Sequence, residues 1–462
     1  MIRKHFFCAK SREDYKKVYL PLFEKVKDNY ASVNDFEQDF FFEHIKTLLK
    51  VPEDVFDSVI VGETPIPGLR LDFNFGLRMD IPEGNFRVTI SDADSGQLFF
   101  DKHLSDCRIL SVEQYFIRWE VNVYLDGERV FSHTLNLEGQ TVMLAFMTVI
   151  GMGDLIAFLP YVREFERIHR CKVKLYMADY LREFTAHFYP DLEQADTIDF
   201  NAYATYYPIM CMSDFLITPV DARNMPLERM GMSILGLNHL PPKLTFKPTA
   251  PRFFSEPYVC IGVQASINRK GWLYPGGWDI VVDYLKSLGY RVFCIDKNSE
   301  VTNDEMTIRM PSGAEDFTGD FSIMDRANML YHAEFFIGLS SGLAWVANLV
   351  NCPVVMICGF SQDWFEFYTP YRVANRFVCN GCFNDIRTSF IVKLCPYHNR
   401  TARELECQKK ISPQQVIDAI NCLIIDKNLI PPRLNPPRPL RSLDFYLRRA
   451  ARMGKELAED SE

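Results

Sequence analysis

A short glycine-containing turn places a carboxylate where it can act on a hydroxyl group. Gly151, Gly153 and Asp154 directly follow an apolar run and open a stretch with helical periodicity. Glycines at such a turn let the backbone approach a ligand closely. A carboxylate there can accept a proton from a hydroxyl nucleophile, or it can cap the helix and interact with its dipole. On this motif alone, both interpretations of Asp154 stay open.

The loop of residues 267–278 combines cations, aromatic rings and glycines between an apolar strand and a helix. Lys270 offers a compact positive charge that can neutralise a diphosphate. The helix start at Gly276 and Gly277 offers free backbone N–H groups for further oxygens. Trp272 adds an aromatic ring that is costly to expose without a ligand. The pattern favours an anion-binding loop over a surface loop with incidental charge.

A third turn between a strand and a helix contains Ser340, Ser341, Gly342 and Leu343. Free N–H groups at the start of the helix make it a second candidate anion site. The serine pair can alternatively act as a helix cap. The chain lacks the GxxxxGK[ST] loop of NTPases, and its Gly151 turn lacks the third glycine of a dinucleotide fingerprint. ATP hydrolysis and nicotinamide chemistry are therefore disfavoured.

Four cysteines in a turn-rich stretch have the spacing CxxC-x12-C-x11-C: Cys379, Cys382, Cys395 and Cys407. Four thiolates can hold zinc or a single iron in tetrahedral geometry. A redox CxxC is the alternative, although it would normally open a helix after a strand. Cys358 is an alternative fourth ligand. Seven cysteines in or beside apolar runs are expected to be inert core thiols: Cys171, Cys211, Cys260, Cys294, Cys352, Cys358 and Cys422.

Hydrophobic periodicity assigns these turns to an α/β fold with five segments. Strands that alternate with helices indicate parallel sheets, and two such Rossmann-like, doubly wound domains bind ligands at the carboxyl ends of their strands. A proline-rich linker lies between the two domains. The predicted segments are a helical extension (1–64), an antiparallel β module (65–140), a first Rossmann-like domain (141–240), a second Rossmann-like domain (252–430) with the cysteine finger (379–407), and a tail helix (431–462).

Composition excludes several classes of protein. The chain has 462 residues, 48% of them hydrophobic, and a formal charge of −9 without a long basic run. This balance argues against nucleic acid or an anionic membrane as the main partner. The N-terminus is charged before any apolar stretch, so we expect no export signal. The most apolar run, residues 142–159, is interrupted by two glycines and Asp154, so we expect no membrane span and a cytoplasmic location.

Several spaced motifs together resemble the bacterial autotransporter heptosyltransferases, which are related to the lipopolysaccharide heptosyltransferases of glycosyltransferase family nine. The resemblance covers roughly residues 69–424. Its motifs are LDFNFGLRMDIP, GMGDLIAFLPY, KGWLYPGGW, PSGAEDFTGDF, IGLSSGLAWVANL, TPYRV and CNGCFND with the later CP and EC. The resemblance implies a GT-B fold, ADP-heptose as the donor and serines of an autotransporter adhesin passenger domain as acceptors. It places the acceptor side in the domain 141–240 and ADP-heptose binding in the domain 252–430. It also implies iron in the cysteine cluster and a homo-oligomeric ring of twelve subunits.

The resemblance also assigns roles to residues. Asp154 matches the catalytic aspartate, and Lys270 matches the lysine that contacts the donor phosphates. Asp316, within PSGAEDFTGDF, and the 340–343 turn fall among the donor-binding segments. The lipopolysaccharide enzymes have Asp-Thr-Gly-Leu at that turn, so an aspartate role there does not carry over to Ser340. A lipopolysaccharide-core enzyme and a non-catalytic GT-B scaffold are the alternative functions.

Overall fold

The computed structural model describes residues 6–14, 17, 56–146, 151–208, 219–303, 306–387 and 395–433. The chain divides into a first unit, Met1–Ile150 with Phe158–Pro242, and a second unit, Gly151–Ala157 with Lys243–Glu462. The boundary after Pro242 lies in the predicted linker. Most of the predicted helical extension and nearly all of the predicted tail helix lie outside the described residues. Within the described part, no helix is long and apolar enough to cross a lipid bilayer.

The first unit contains a mixed sheet whose described strands number eight. The central strand Arg70–Asn74 pairs antiparallel on one side and parallel on the other, so the sheet is antiparallel in one half and parallel in the other. In spatial order the strands are Phe6–Ala9, Cys107–Ser111, Arg78–Ile81, Arg70–Asn74, Ala204–Tyr206, Thr141–Ala145, Lys172–Tyr176 and Glu193–Ala195. Its described helices are Tyr161–His169, Arg182–Phe188 and Leu227–Ile234, with 3-10 turns at Asp179–Leu181 and Ala222–Asn224.

A second, antiparallel sheet in the first unit comes from the predicted β module. Its strands are, in spatial order, Leu98–Leu104, Phe86–Asp92, Trp119–Leu125 and Glu128–Thr134. Phe86, Val88 and Ile90 are buried along one strand, as the alternation predicts. The module is not self-contained, however, because three of its strands belong to the mixed sheet. Alternation specifies a strand and its buried face, whereas the partner strand is set by contacts far apart in the sequence.

A buried ion pair joins two neighbouring strands of the mixed sheet. Arg78 donates from Nε and Nη2 to the two carboxylate oxygens of Asp72, each at 2.8 Å. Both side chains are fully buried. The carboxylate also accepts the backbone N–H groups of Val61 and Asn74. Burial raises the pKa of Asp72, and the hydrogen bonds from Arg78 oppose that rise.

The second unit is built on a parallel sheet. Its described strands are, in spatial order, Glu315–Asp316, Arg291–Cys294, Tyr258–Gly262, Phe336–Leu339, Val354–Ile357 and Arg372–Val373. A separate hairpin pairs Glu300–Asn303 with Met306–Arg309. The described helices are Met152–Phe158, whose last residue is assigned to the first unit, then Gly277–Ser287, Ile323–Tyr331, Gly342–Leu349, Glu406–Lys409 and Pro413–Asp426, with 3-10 turns at Asn268–Lys270 and Cys382–Asn384.

Two helices cover one face of this sheet. Gly277–Ser287 and Pro413–Asp426 contribute Val281, Leu285 and Ile420 to a core that also contains Ile261 and Ile337. The longer helix begins with a complete capping box between Ser412 and Gln415. The cap satisfies N–H groups that the first turn of a helix leaves free. One of the two helices that cover the sheet, Pro413–Asp426, therefore follows the cysteine segment in the chain.

Residues 151–157 belong to the second unit, although the sequence assigned them to the first Rossmann-like domain. Gly153 lies against Trp345, so that a Cβ atom at Gly153 would come within 2.6 Å of the indole Cδ1. A Cβ atom at Gly342 would likewise come within 2.3 Å of Cε of Met152. These two glycines let the backbones of two helices approach closely. The α/β architecture with two units is as predicted, while the first sheet is mixed rather than purely parallel.

Candidate functional site

Asp154 lies in the first turn of the helix Met152–Phe158. Its carboxylate accepts backbone N–H groups of Gly151 and of Asp154 itself. This is the contact by which an acidic residue satisfies a helix N-terminus, so the capping interpretation has a structural basis. The contact uses part of the acceptor capacity of the carboxylate, which can accept about four hydrogen bonds. A capping role therefore leaves room for a proton-transfer role.

Asp154 and Lys270 interact electrostatically across two turns that are far apart in the sequence. Asp154 is partly exposed as a residue, but its carboxyl group is enclosed by protein. Burial raises the pKa of Asp154 to about 6, while the positive charge of Lys270 lowers it and the charge of Glu366 raises it. At neutral pH the carboxylate is therefore ionised and still basic enough to accept a proton. The structure thus brings the two residues predicted to be catalytic within electrostatic reach of each other.

The loop that carries Lys270 follows the strand Tyr258–Gly262 and forms a single 3-10 turn, Asn268–Lys270. Lys270 retains partial exposure. Trp272, predicted to contact the donor, is instead 4% exposed and belongs to the core. Its indole N–H donates to the carbonyl oxygen of Ile411 at 2.9 Å. The sequence interpretation of Trp272 is corrected: its ring supports the loop from within.

Gly276 and Gly277 have separate structural roles at the end of this loop. Gly276 has a φ of 65°, a left-handed conformation that favours glycine, and it caps the helix Gly277–Ser287. Gly277 lies over the ring of Trp272, where a Cβ atom would come within 2.8 Å of Cζ2. Both glycines are therefore required by the backbone. Free N–H groups at this helix start remain compatible with the predicted anion binding.

The two serine side chains in the turn after the strand Phe336–Leu339 make different contacts. The hydroxyl of Ser340 donates to Glu366 in the interior. Ser341 is the N-cap of the helix Gly342–Leu349, yet its side chain makes no capping hydrogen bond. Among the described residues, no group pairs with the buried hydroxyl oxygen of Ser341. A buried hydroxyl without a partner is costly, so this hydroxyl fits a bound oxyanion at the N-terminus of the helix.

Gly342 and Leu343 complete this turn. Leu343 is buried, and its Cδ1 lies near Gly262 on the neighbouring strand. Only the backbone of Leu343 can therefore serve a ligand. Gly342 is the residue that lies against Met152, so the turn is packed against the segment that carries Asp154.

A buried polar network lies beneath the serine turn and was not predicted from the sequence. Glu366 accepts hydrogen bonds from Ser340, from Ser361 at 2.6 Å and from Nη1 of Arg372 at 2.8 Å. Ser361 Oγ also lies 3.2 Å from the sulfur of Cys358. Ser340 is 26 positions from Glu366, whereas Ser361 and Arg372 are five and six positions from it, so the network joins the serine turn to the stretch 358–372. The only signal is an acidic residue within the aromatic stretch DWFEFY.

Asp316 lies on a different part of the sheet edge. It ends the outermost strand, Glu315–Asp316, which the strand Arg291–Cys294 separates from Tyr258–Gly262. Its carboxylate accepts the backbone N–H and the hydroxyl of Thr318, at 2.8 and 2.6 Å. Those hydrogen bonds lower the pKa of Asp316. The exposed carboxylate is fixed at the carboxyl end of its strand, and its role in donor binding stays a prediction.

The four predicted metal ligands come close together in the second unit. Cys379 interacts electrostatically with Cys382 and Cys395, and Cys407 interacts with all three. Burial raises the pKa of each of Cys379, Cys382 and Cys407. In the described part of the chain, the potential metal ligands whose donor atoms lie within 4.8 Å of one another are Cys379, His398 and Glu406. The four sulfurs do not form such a set, so their arrangement only weakly indicates the finger.

The chemistry of these side chains nevertheless fits a thiophilic metal. A metal cation can bind such thiols as thiolates and displace their protons. Cys358 also lies near Cys407, but its sulfur faces the hydroxyl of Ser361. All twelve described cysteines are free thiols. Of the predicted core thiols, Cys422 is exposed, because it lies on the outer face of its helix, and Cys211 lies outside the described residues.

Comparison with known proteins places the chain among glycosyltransferases. The N-terminal domain of glycosyltransferase TibC matches residues 65–127. An autotransporter heptosyltransferase of Citrobacter rodentium, BAHTCr, is 39% identical over 76% of this chain and 88% of its own length. The autotransporter heptosyltransferase TibC of Escherichia coli is 38% identical over 76% and 89%. BimC of Burkholderia thailandensis, an inactive autotransporter heptosyltransferase, is 31% identical over 76% and 84%.

The solved structure of TibC extends this similarity to the fold. TibC, an iron-containing dodecameric glycosyltransferase from enterotoxigenic E. coli, has a TM-score of 0.76 and 35% identity, over 80% of this chain and 99% of its own. A second TibC structure, in complex with ADP-D-β-D-heptose, has the same TM-score and coverage. The level of identity and the near-complete coverage of these relatives settle the family. The chain belongs to the autotransporter heptosyltransferases, which are glycosyltransferases.

Proposed function

We propose that this protein transfers heptose from ADP-heptose to serine hydroxyls of an autotransporter adhesin passenger domain. The proposal rests on one observation: Asp154 interacts with Lys270, and the serine turn packs against the segment that carries Asp154, all within the second unit. One group is a base, one is a cation, and the turn offers N–H groups and an unpaired hydroxyl. These chemical groups suit the transfer of a sugar from a nucleotide diphosphate to a hydroxyl acceptor.

Asp154 is proposed to be the general base. Its carboxylate accepts the proton of the acceptor serine while the serine oxygen forms a bond to the anomeric carbon of the heptose. The bond from that carbon to the β-phosphate oxygen breaks, and its electron pair leaves with ADP. Since the pKa of Asp154 is raised to about 6, the carboxylate is ionised at neutral pH and can accept this proton.

Lys270 and the turn Ser340–Leu343 are proposed to stabilise the departing ADP. Negative charge on the diphosphate increases as the bond to the sugar breaks, so a fixed ammonium and fixed N–H donors lower the barrier at that point. The hydroxyl of Ser341 supplies one further donor. Gly153 and Gly277 pack against Trp345 and Trp272, so they and Gly276 are proposed to contact the donor only through backbone groups, and Asp316 remains a candidate donor-binding residue.

Cys379, Cys382, Cys395 and Cys407 are the residues proposed to hold one iron per chain, with zinc as the alternative. TibC, an iron-containing relative, supports iron. The metal would supply a structural cross-link between thiolates rather than chemistry at the sugar. We further propose a bacterial cytoplasmic location, because free thiols and metal ligation suit a reducing compartment.

A homododecamer is proposed on the same basis, since TibC is dodecameric. The second unit exposes large aromatic side chains, among them Phe377 at 99% and Tyr368 at 83%. Exposed aromatic groups of this size are typical of interaction surfaces. Copies of this chain are the partners that the relative suggests, and the adhesin is the acceptor.

The experiment that tests the function is a transfer assay with ADP-heptose and three acceptors. These are the passenger domain of a co-expressed autotransporter, a lipopolysaccharide core acceptor and buffer alone. We expect the passenger domain alone to gain the mass of heptose, with the modified serines located by peptide mapping. Transfer only to the lipopolysaccharide acceptor would favour the core-type alternative. No transfer with intact ADP binding would favour a non-catalytic scaffold, and one relative, BimC, is an inactive autotransporter heptosyltransferase.

A further inference from the structure

The loop that carries Lys270 is attached to the cysteine segment as well as to its own strand. Arg269, the preceding residue, is 3% exposed, and its Nη2 donates to the sulfur of Cys382 at 3.2 Å. Its guanidinium also lies 4.9 Å from the ring centroid of Phe360, and the ammonium of Lys270 lies 5.8 Å from the same ring. One aromatic ring therefore supports both cations, and one cation contacts a predicted metal ligand.

Gln408 holds the same loop on both sides of Lys270. It directly follows Cys407 and is completely buried. Its side-chain Nε2 donates to the carbonyl oxygen of Arg269 at 2.6 Å, and its backbone oxygen accepts the N–H of Leu273 at 3.2 Å. Residues 269–273 are thereby fixed at both ends by a single residue of the cysteine segment.

The burial of Gln408 has an energetic cost that packing alone does not explain. Across the described residues, no group donates to its Oε1 atom, which is buried without a hydrogen-bond partner. An apolar side chain of the same size would avoid this unmet acceptor. The amide does, however, fix the backbone of the loop. The Arg269 carbonyl to which it donates belongs to the peptide unit that contains the nitrogen of Lys270.

We propose that Gln408 is a positioning residue for Lys270, and that Arg269 links the same loop to the sulfur of Cys382. The amide of Gln408 fixes the peptide that precedes Lys270, so the ammonium is held where the donor diphosphate binds. Neither residue touches the donor. The cysteine segment thus contributes to donor binding through the loop, in addition to its own cohesion. This inference rests on the proposed contact of Lys270 with the diphosphate.

The test is a double-mutant cycle on ADP affinity, measured by calorimetry with the full-length protein. The four proteins are the wild type, Gln408→Met, Lys270→Ala and the double variant. Methionine keeps the length and volume of glutamine but cannot donate to Arg269. Loss of the lysine should weaken ADP binding roughly tenfold, as expected for a charged contact. Loss of the amide should weaken it roughly fivefold in the wild type and not at all once Lys270 is absent.

Matched variants separate positioning from general destabilisation. Gln414→Met makes the same substitution at an exposed amide on the following helix, and ADP affinity should not change. Arg269→Lys keeps the charge but shortens the reach of the side chain to Cys382. If Gln408→Met fails to fold, Arg269→Lys should still weaken ADP binding when Lys270 is present and leave it unchanged in the Lys270→Ala background. Metal content, measured by elemental analysis, should be equal in wild type and Gln408→Met.

Two results would overturn the inference while the proposed function survives. In one, Gln408→Met and Arg269→Lys leave ADP affinity unchanged although Lys270→Ala weakens it. In the other, they weaken ADP binding equally with and without Lys270, which would show a general effect on the fold. Unchanged affinity in Lys270→Ala would remove Lys270 from the donor site, and would overturn both the inference and that part of the proposed function.

Discussion

The single carboxylate of Asp154 is the group on which transfer should depend most strongly. Asp154→Asn keeps the size of the side chain but cannot accept the serine proton. We expect turnover to fall roughly a hundredfold or more, the usual effect of losing a positioned general base. ADP affinity should not weaken, because the variant removes a negative charge near Lys270. Initial rates with ADP-heptose and calorimetry with ADP measure the two quantities. Turnover close to wild type would leave Asp154 with only its helix-terminal role.

The pH dependence of transfer should report the same carboxylate. A general base must be deprotonated, and burial raises the pKa of Asp154 to about 6. The rate should therefore be nearly constant above that value and fall roughly tenfold for each pH unit below it. Lys270 lowers this pKa, so the residual activity of Lys270→Ala should lose rate at a higher pH than the wild type. An inflection that does not move in this variant would contradict the electrostatic contact between the two residues.

At the scale of single residues, the sequence identified groups that act through a local turn. Asp154, Lys270 and Ser341 each follow or open an element whose periodicity is visible, and the structure brings their turns together. Trp272 was misjudged because an aromatic residue beside glycines is as typical of tight packing as of ligand binding. Glu366 was missed because its spacing from Ser361 and Arg372 fits none of the motifs considered, and its contact with the serine turn joins two loops 26 positions apart.

Among the elements, the strands Arg70–Asn74 and Arg78–Ile81 share a buried pair whose one-sided removal should strongly destabilise the first unit. Arg78→Leu leaves Asp72 buried without its cation. We expect the free energy of unfolding to fall by about 3–5 kcal/mol, the range for breaking a buried pair from one side. Replacing both residues by leucine should recover much of the loss, since no uncompensated charge then remains. Calorimetric thermal unfolding measures the series.

Arg87 and Asp101 provide a matched control for this pair. They also form a two-pronged hydrogen-bonded pair between neighbouring antiparallel strands, but their side chains are 43% and 36% exposed. Exposed pairs contribute little because water already solvates both groups. Arg87→Leu should therefore leave the unfolding temperature nearly unchanged. An equal loss in Arg78→Leu and Arg87→Leu would show that burial is not what makes the first pair important.

Element positions were predicted better than element partners. The strands at 258, 291, 336 and 354 and the helix at 277 lie close to where periodicity placed them. The strands Arg70–Asn74 and Cys107–Ser111 fall within the predicted antiparallel β module but join the mixed sheet instead of the antiparallel one. Pairing is decided by which faces can be buried together, and a one-dimensional pattern does not contain that information.

For the whole molecule, the cysteine segment should behave as a metal-dependent fold. Serine at Cys379, Cys382, Cys395 or Cys407 removes a thiolate from a largely buried cluster. We expect each variant to lose the metal and to lower solubility or assembly, because metal binding is coupled to local folding. Elemental analysis should give about one metal per wild-type chain. Cys358→Ser, whose thiol faces Ser361, should keep it. Metal loss in Cys358→Ser, or retention in Cys407→Ser, would reassign the fourth ligand.

Assembly of the molecule should depend on an aromatic side chain that the single chain leaves in solvent. Phe377 is 99% exposed and lies two positions before Cys379. Burial of a phenylalanine in an interface is favourable by about 1.5–3 kcal/mol. We therefore expect Phe377→Ser to shift the mass distribution, measured by light scattering, toward species smaller than a dodecamer. ADP affinity should be retained, and an unchanged distribution would place Phe377 outside the subunit contacts.

The path of the chain limits how this enzyme can be dissected. The second unit receives Gly151–Ala157 before the rest of it begins at Lys243. A fragment cut at the proline-rich linker would therefore contain the lysine loop and the serine turn but not the carboxylate. It would also expose the side of Trp345 that Gly153 covers. Neither of the two fragments made by that cut encodes the complete set of groups proposed for the reaction, so recombination or domain exchange between relatives at that linker would combine the proposed base of one parent with the proposed leaving-group site of the other.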